Sequence, residues 1–430
     1  MKKAALHNLG CKVNAYETEA MQQMLEEAGY EIVPFSEKAD VYVINTCSVT
    51  NMGDRKSRQI IRRAKKLNPN AVIAVTGCYA QTAPDEVLAI EGVNLVLGTK
   101  DRKNIVTLVE DLNTESNINH VSDIMSNHEF EELQIKQYSN RTRAFIKIQE
   151  GCNQFCSYCI IPYARGPIRS LPLNEAISQT RALAAAGYQE IVLTGIEISS
   201  WGQDFRDGTG LIDLVEAVCA AAPECRIRLG SLEPRTITAE FCRRATALPN
   251  LCPHFHLSLQ SGCDATLKRM NRKYDTKLYY TGIKLLRDFF HRPGITTDLI
   301  VGFPGETEEE FEETLSFIQK CAFSAMHIFP YSRRSGTPAA KMPDQASNTV
   351  KENRARRAAE VARDMREAWL ASWAGEVLPV LFEEEKNGLW RGHAPNYAEV
   401  FAPGRALHNQ VREVSISGSD PQLGLIGKVL

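Results

Sequence analysis

Residues 151–166 read Gly-Cys-Asn-Gln-Phe-Cys-Ser-Tyr-Cys-Ile-Ile-Pro-Tyr-Ala-Arg-Gly and follow a strand-like run at 144–149. The stretch places three cysteines on one tight loop, at spacings of four and three residues, namely Cys152, Cys156 and Cys159. A structural zinc site normally takes four Cys or His ligands, and the nearest histidines, His128 and His254, are distant in sequence. A disulfide framework is not expected, because the first residues do not resemble an export signal. Three thiolates on one loop suit an iron–sulfur cubane that keeps one iron open.

The CxxxCxxC spacing of this loop resembles the signature of the radical S-adenosylmethionine (SAM) superfamily. In that superfamily the open iron chelates the amino and carboxylate groups of SAM, and an electron from the cluster cleaves the sulfonium to a deoxyadenosyl radical. The resemblance implies a [4Fe-4S] cluster and SAM as cofactors, which the protein positions and shields. The alternative is that three buried cysteines merely lie close together.

Length and composition limit the class of protein. The chain has 430 residues, 43% apolar and 24% charged, which is typical of a soluble globular protein of roughly two or three domains. Its net charge is −2, so a nucleic-acid partner must be met by local basic patches. No apolar run reaches the ~18 residues of a membrane span. Twelve cysteines favour metal or redox use in a reducing compartment, and we predict a cytoplasmic protein.

The N-terminal part alternates strand and helix patterns. Apolar runs at 2–9, 41–44 and 71–75 are separated by helical periodicity, which predicts a doubly wound α/β domain over 1–110 with ligands beyond the carboxyl ends of its strands. One cysteine follows each of these runs, namely Cys11, Cys47 and Cys78. Each by itself is more often a small buried core residue than a ligand, but their shared position predicts a second iron–sulfur cluster with an open iron.

The helix predicted at about 52–67 is strongly basic. Seven cations and no acid lie between Arg55 and Lys66. Four of them fall on one helical face, namely Arg55, Arg58, Arg62 and Lys66. A charge run is usually a solvated face, but so many unbalanced cations favour contact with an RNA backbone close to Cys47.

A polar segment at 111–142 has little periodicity and is predicted to be a linker. Six strand runs with helices between them follow, and predict an incomplete (β/α) barrel over 143–374, at 144–149, 190–194, 226–229, 255–259, 296–301 and 325–329. Such barrels bind ligands beyond the carboxyl ends of their strands. The candidate SAM contacts at those positions are Gly195, Glu197, Ser231, Glu233, Gln260, Gly302, Pro304 and Gly305. The alternative for each is an ordinary strand end or a solvated side chain.

Further basic residues are candidate RNA contacts. Arg165 and Arg169 in the cysteine loop add positive charge near the predicted reaction centre. A long helix pattern occupies 345–374, and short β runs broken by Gly, Pro and Asn follow over 375–430, which predicts a small β-barrel. Arg391 and Arg412 on that barrel could contact RNA.

Nearly the whole chain resembles the radical SAM methylthiotransferases. The resemblance rests on Gly10-Cys11-Lys12-Val13-Asn14, Asn45-Thr46-Cys47, Thr76-Gly77-Cys78, the central cysteine triad, residues 256–262 (His-Leu-Ser-Leu-Gln-Ser-Gly) and residues 302–307 (Gly-Phe-Pro-Gly-Glu-Thr). The C-terminal module is similar to the RNA-binding TRAM domain. Within the family, the motifs resemble the branch that methylthiolates N6-threonylcarbamoyladenosine beside the tRNA anticodon.

The resemblance implies two [4Fe-4S] clusters and two uses of SAM. One SAM gives a methyl group to sulfur held at the N-terminal cluster, and a second supplies the radical that removes hydrogen from C2 of the adenine. The implied partners are the tRNA anticodon stem-loop and an electron donor such as a flavodoxin or ferredoxin, with no stable protein partner.

Three alternatives remain from sequence. The same chemistry could act on isopentenyladenosine in tRNA or on an aspartate of a ribosomal protein. A non-catalytic iron–sulfur RNA-binding sensor is a second, and a radical SAM enzyme of another reaction with structural N-terminal cysteines is a third. The six other cysteines are predicted to be ordinary buried or semi-buried thiols, namely Cys219, Cys225, Cys242, Cys252, Cys263 and Cys321.

Overall fold

The N-terminal part of the molecule is a six-stranded parallel sheet with helices on both faces. The computed structural model describes residues 1–48, 50–112, 115–135 and 142–430. The sheet order is β2-β1-β3-β4-β5-β6, with strands β1 Lys3–Asn8, β2 Glu31–Ile32, β3 Val41–Thr46, β4 Val72–Gly77, β5 Leu95–Leu97 and β6 Ile118–His120. The helices are α1 Lys12–Glu27, α2 Asn51–Leu67, α3 Cys78–Thr82, α4 Pro84–Leu88 and α5 Ile105–Glu110.

Burial explains why the central strands of this sheet were predictable. Every residue of β3 is buried, as expected for a parallel strand covered on both faces. The predicted doubly wound domain is confirmed. Strand β6 comes from the segment predicted to be a linker. All three of its residues are exposed, and it is held at the sheet edge by backbone pairing with β5. Its sequence therefore has no hydrophobic pattern from which a strand could be predicted.

The central part contains the six predicted parallel strands in two adjoining sheets. Their orders are β10-β9-β7-β8 and β11-β12-β13-β14, and Ile227 of one bridges Leu251 beside the other. The strands are β7 Arg143–Glu150, β8 Arg169–Ser170, β9 Glu190–Gly195, β10 Arg226–Leu229, β11 Ser231–Leu232, β12 His254–Leu257, β13 Gly294–Val301 and β14 Ala325–Pro330. The helices are α6 Ile161–Arg165, α7 Leu173–Ala185, α8 Leu211–Ala221, α9 Ala239–Thr246, α10 Asp264–Arg269, α11 Thr276–Phe289 and α12 Glu308–Cys321.

A long helix, α13 Asn348–Ala371, leads to a closed five-stranded barrel. The barrel order is β15-β16-β17-β19-β18, with strands β15 Val377–Lys386, β16 Leu389–His393, β17 Glu399–Ala402, β18 Val411–Asp420 and β19 Gly424–Val429. The predicted small β-barrel is confirmed. Its Tyr397 ring stacks on His254 of β12 at 4.6 Å and on His393 at 4.8 Å, which seats the barrel against the amino ends of the central strands.

Two further sequence predictions concern hydropathy and cysteines. Within the described residues, none of the helices combines the length and apolar character needed to cross a membrane. All six cysteines outside the two triads are buried, which confirms the burial predicted for them.

Candidate metal centres and the pocket beside them

The three N-terminal cysteines meet at one edge of the first sheet. Cys11, Cys47 and Cys78 follow β1, β3 and β4, which are neighbours in the sheet. A Cβ added to Gly10 would lie 2.8 Å from the Cβ and 2.9 Å from the Sγ of Cys47, so the loop holding Cys11 packs directly on Cys47. Burial, helped by the nearby Cys11 and Cys47 and opposed by the charge of Arg165, raises the pKa of the Cys78 thiol to about 11.

Polar side chains at the strand ends hold this edge together. The Asn14 amide donates to the carbonyls of Leu9 at 2.8 Å and Thr46 at 3.0 Å, and so joins the ends of β1 and β3. The Thr46 hydroxyl donates to the Thr76 carbonyl at 2.6 Å, and the Thr76 hydroxyl donates to Gly98 O at 2.8 Å. These bonds explain why Asn and Thr stand beside the cysteines in the sequence motifs.

The second triad lies on the loop between β7 and α6. The loop is closed at its base, where the Cys152 amide donates to the Gly166 carbonyl at 3.0 Å. The segment that follows α10 packs against this cysteine loop. The Ser157 amide donates to the Met270 carbonyl at 3.0 Å, and Arg272 Nη1 donates to Cys156 Sγ at 3.2 Å.

Both triads have the donor chemistry of an iron–sulfur site. Burial and then the neighbouring Cys156 raise the pKa of the Cys159 thiol to about 12, so thiolates would form there only with a cationic centre to stabilise them. In the part of the chain that the structure describes, no three potential ligand side chains close around a single point as they would around one ion. A cubane is larger than one ion and its ligands stand further apart. The residues fit the predicted clusters.

The candidate SAM contacts divide into two groups, of which the first lines the carboxyl ends of β9 to β12. The Glu197 amide donates to Gln149 Oε1 at 2.8 Å, and burial together with the Glu233 carboxylate raises the pKa of Glu197 to about 7. Glu233 is buried and pairs with Arg272 at 2.8 Å. Ser231 is exposed at the start of the short strand β11. Close packing explains Gly195, since a Cβ there would lie 2.9 Å from the Gln149 carbonyl.

The second group forms a loop after β13. Gly302 and Gly305 have φ of +69° and +72°, which favours glycine. Pro304 is buried, and the carboxylate of Glu306 accepts from the Phe303 amide at 3.0 Å. The Phe303 ring meets Tyr158 of the cysteine loop edge to face at 6.4 Å. This loop therefore supports the cysteine loop, and direct contact of its residues with SAM stays a prediction.

A cavity of about 280 Å³ lies beside the second triad. Its lining joins Cys159 and Gln260 of the central part to Thr50, which caps α2 of the N-terminal sheet domain. Most of its surface is aromatic or aliphatic, with lining side chains that include Tyr158, Ile160, Ile300, Phe329 and Tyr331. Such a cavity can take a flat, partly apolar group such as a nucleobase.

The basic face of α2 is on the molecular surface. Arg55, Arg62 and Lys66 are exposed, while Arg58 pairs with Glu86 at 3.1 Å and donates to the Tyr79 hydroxyl at 2.9 Å. On the C-terminal barrel Arg412 is exposed. Arg391 is held between Glu384 and Glu399, so its charge is largely neutralised.

Two of the predicted RNA contacts are wrong. Arg165 and Arg169 have 0% and 1% of their surface exposed, and both point into a buried cluster of ion pairs. Arg165 bonds to Glu17, Glu150 and Asn14. Burial lowers the pKa of Arg169 against the pull of Glu150. No local pattern indicates this burial, because most of their partners lie on other elements.

Several supporting residues around the two triads were not predicted from the sequence. Asn14 was visible within the Gly-Cys-Lys-Val-Asn motif, which could have marked it. Nothing in the sequence marked Arg272, which contacts Cys156, or Glu150, which contacts Arg165.

The fold and the three-cysteine loop define the class of protein. A sequence model of the Radical SAM superfamily matches residues 146–318, and one described as "Uncharacterized protein family UPF0004" matches residues 3–98. Among solved structures, the radical S-adenosylmethionine methyltransferase TsrM from Kitasatospora setae, with cobalamin and a [4Fe-4S] cluster bound, aligns with a TM-score of 0.57 at 15% identity. The alignment covers 79% of this chain and 77% of that one, which shows a shared fold.

Curated relatives narrow the class. The threonylcarbamoyladenosine tRNA methylthiotransferase MtaB of Bacillus subtilis (strain 168) is 46% identical over 94% of this chain and 91% of its own. The MtaB protein of Aquifex aeolicus (strain VF5) is 37% identical over 93% and 96%. The tRNA-2-methylthio-N(6)-dimethylallyladenosine synthase of Thermoanaerobacter sp. (strain X514) is 36% identical over 96% and 89%. The chain belongs to the radical SAM tRNA methylthiotransferase family.

Proposed function

We propose that this protein adds a methylthio group to C2 of N6-threonylcarbamoyladenosine beside the tRNA anticodon. The observation that carries the proposal is the convergence of both cysteine triads on one region. Cys159 and Thr50, three residues beyond Cys47, line the same cavity, and Arg165 lies 3.4 Å from Cys78. Sulfur chemistry at one cluster and radical chemistry at the other thus occur within reach of one bound base.

The residues of the two triads would hold the cofactors. Cys152, Cys156 and Cys159 would bind the [4Fe-4S] cluster whose open iron binds SAM, and a second cluster would bind at Cys11, Cys47 and Cys78. When bound, these groups supply the radical that removes the C2 hydrogen and the sulfur and methyl group that replace it.

The chain supplies binding, orientation and exclusion of water. The rings of Tyr158, Phe329 and Tyr331 line the cavity and can stack on a base splayed from its loop. Gln260 and Asp298 in the same wall can hydrogen-bond its edge. Glu197 and Glu233 stand at the carboxyl ends of the strands, where a carboxylate can accept from the SAM ammonium group.

The surface around the cavity supports RNA as substrate. Thr50 lines the cavity and caps α2, so the exposed cations of that helix extend outward from the cavity. They can neutralise phosphates while a base is inserted. We place the reaction in the cytoplasm, where an electron donor such as a flavodoxin or ferredoxin would deliver the electron.

The choice of base rests on the relatives. The relative of 46% identity is named for threonylcarbamoyladenosine, and the one of 36% identity named for dimethylallyladenosine provides the runner-up substrate. A non-catalytic sensor or a structural role for Cys11 does not explain why Cys159 of the second triad and Thr50, three residues beyond Cys47, line one cavity.

Nucleoside mass spectrometry of bulk tRNA, from cells with and without the gene, tests the proposal. We expect the methylthio group to be lost from threonylcarbamoyladenosine alone, and to return with the wild-type gene but not with Cys47→Ala. Loss of the methylthio group from isopentenyladenosine instead would assign that nucleoside as the substrate. Unchanged tRNA nucleosides would refute a tRNA substrate.

A further inference from the structure

A buried ion-pair network joins the two cluster regions of the molecule. Among the described residues it contains four cations and three carboxylates, namely Arg102, Lys147, Arg165 and Arg169 with Glu17, Glu131 and Glu150. Glu17 comes from α1 of the N-terminal domain, and Glu150 ends β7 directly before the cysteine loop. The network therefore crosses the interface between the two domains.

The seven described members of this network leave one positive charge in excess. The Nε and Nη2 atoms of Arg169 are buried without a hydrogen-bond partner among the described residues, although Glu150 lies 3.7 Å from Nη2. An uncompensated buried charge is strongly unfavourable. A compensating negative charge is expected nearby.

Arg165 is the member of this network that contacts the N-terminal triad. Its Nε lies 3.4 Å from Cys78 Sγ and its Nη2 lies 2.6 Å from Asn14 Oδ1. The same Asn14 oxygen accepts from Cys11 Sγ at 3.8 Å. Arg165 thus contacts one thiol of the triad directly and a second through one side chain.

Arg165 belongs to the chain segment that carries the second triad. It ends α6, which begins two residues after Cys159 of the other triad. Its helix is also tied to the N-terminal domain, because the Thr99 hydroxyl donates to the Ala164 carbonyl at 2.6 Å. The loop that binds one cluster therefore supplies a hydrogen-bond donor to a ligand of the other.

We propose that Arg165 is a positioning residue that sets the reduction potential of the N-terminal cluster. A cluster held by three thiolates is anionic, and reduction adds one more negative charge. A buried guanidinium bonded to Cys78 stabilises the reduced form more than the oxidised form, because hydrogen bonds to the sulfurs and local charge raise the potential. The inference rests on the proposed function, since it requires a cluster at this triad.

The test uses the full chain with Cys152→Ala, Cys156→Ala and Cys159→Ala, reconstituted anaerobically so that it holds only the N-terminal cluster. Iron per chain is measured first. The cluster is then titrated with dithionite in the presence of redox mediators, and the one-electron reduced form is followed by electron paramagnetic resonance.

For Arg165→Gln we expect the equilibrium constant of one-electron reduction to fall about tenfold, a shift of about 59 mV to more negative potential. Arg165→Lys keeps the charge but loses the forked geometry, so its shift should be smaller and in the same direction. If the Gln variant does not fold, the Lys variant decides. Arg169→Lys is the matched control in the same network, and its potential should equal that of the parent.

Two results would overturn the inference, and they differ in what else they refute. Unchanged potentials in both Arg165 variants, with iron retained, would overturn the role of Arg165 and leave the proposed function intact. Absence of iron from the parent chain would overturn the N-terminal cluster, and with it both this inference and the proposed chemistry.

Discussion

Gly10 offers a sharp test of how closely the N-terminal triad is packed. Its φ is +107°, and a Cβ there would lie within 3 Å of both the Cβ and the Sγ of Cys47. Gly29 is a matched control on the same domain, with φ of +89° and nothing within 4 Å of an added Cβ. Comparing Gly10→Ala with Gly29→Ala therefore separates the cost of displacing Cys47 from backbone strain.

The expected magnitudes follow from these two positions. Gly29→Ala should lower the free energy of unfolding by about 1–2 kcal/mol, through backbone strain alone. Gly10→Ala should add about 1–3 kcal/mol for overpacking. Because Cys47 must then move, roughly half of the iron should be lost, corresponding to one of two four-iron clusters.

The assay is anaerobic reconstitution of both variants of the full chain, followed by measurement of iron per chain and urea unfolding. Gly29→Ala should keep the iron content of the wild type. The reasoning is refuted if Gly10→Ala also keeps all its iron and unfolds at the same urea concentration as Gly29→Ala.

Two further perturbations have expected outcomes. Burial raises the pKa of Glu190, but the Arg228 guanidinium overrides this effect and lowers that pKa to about 2 from a usual value of 4.5. The pair therefore stabilises the fold above pH 4.5 by about 3 kcal/mol, and this contribution is lost as the pH falls towards 2. Glu190→Gln should remove that slope from unfolding curves measured across pH, whereas the exposed control Glu240→Gln should not. The second perturbation replaces three exposed cations of α2 by Gln, namely Arg55, Arg62 and Lys66. This variant should bind tRNA more weakly, and its slope of log Kd against log salt should be smaller by up to about 3. An equal slope in that variant, or an equal loss in the α13 control Arg356→Gln/Arg363→Gln, would contradict the assignment of α2 as the RNA surface.

Much of the fold was determined by local patterns in the sequence. The fully buried run of β3 and the six later strand runs follow from hydrophobic periodicity, which each segment carries by itself. The cysteine loop and the three cysteines at strand ends follow from spacing and topology, because parallel strands bring their carboxyl ends to one edge. The exposed edge strand β6 was missed because backbone pairing without burial leaves no pattern.

Only the tertiary structure decided which charged side chains are exposed and which are buried. In the sequence Arg165 resembles the exposed arginines of α2, yet it is buried against Glu17, 148 residues away. Arg272 likewise reaches Cys156 across 116 residues. The energy of a buried ion pair depends on the distance and surroundings of both partners after folding, and neither residue carries that information in its own segment. The sequence therefore determined the elements and the predicted ligands, and the packing of the domains decided what surrounds those cysteines.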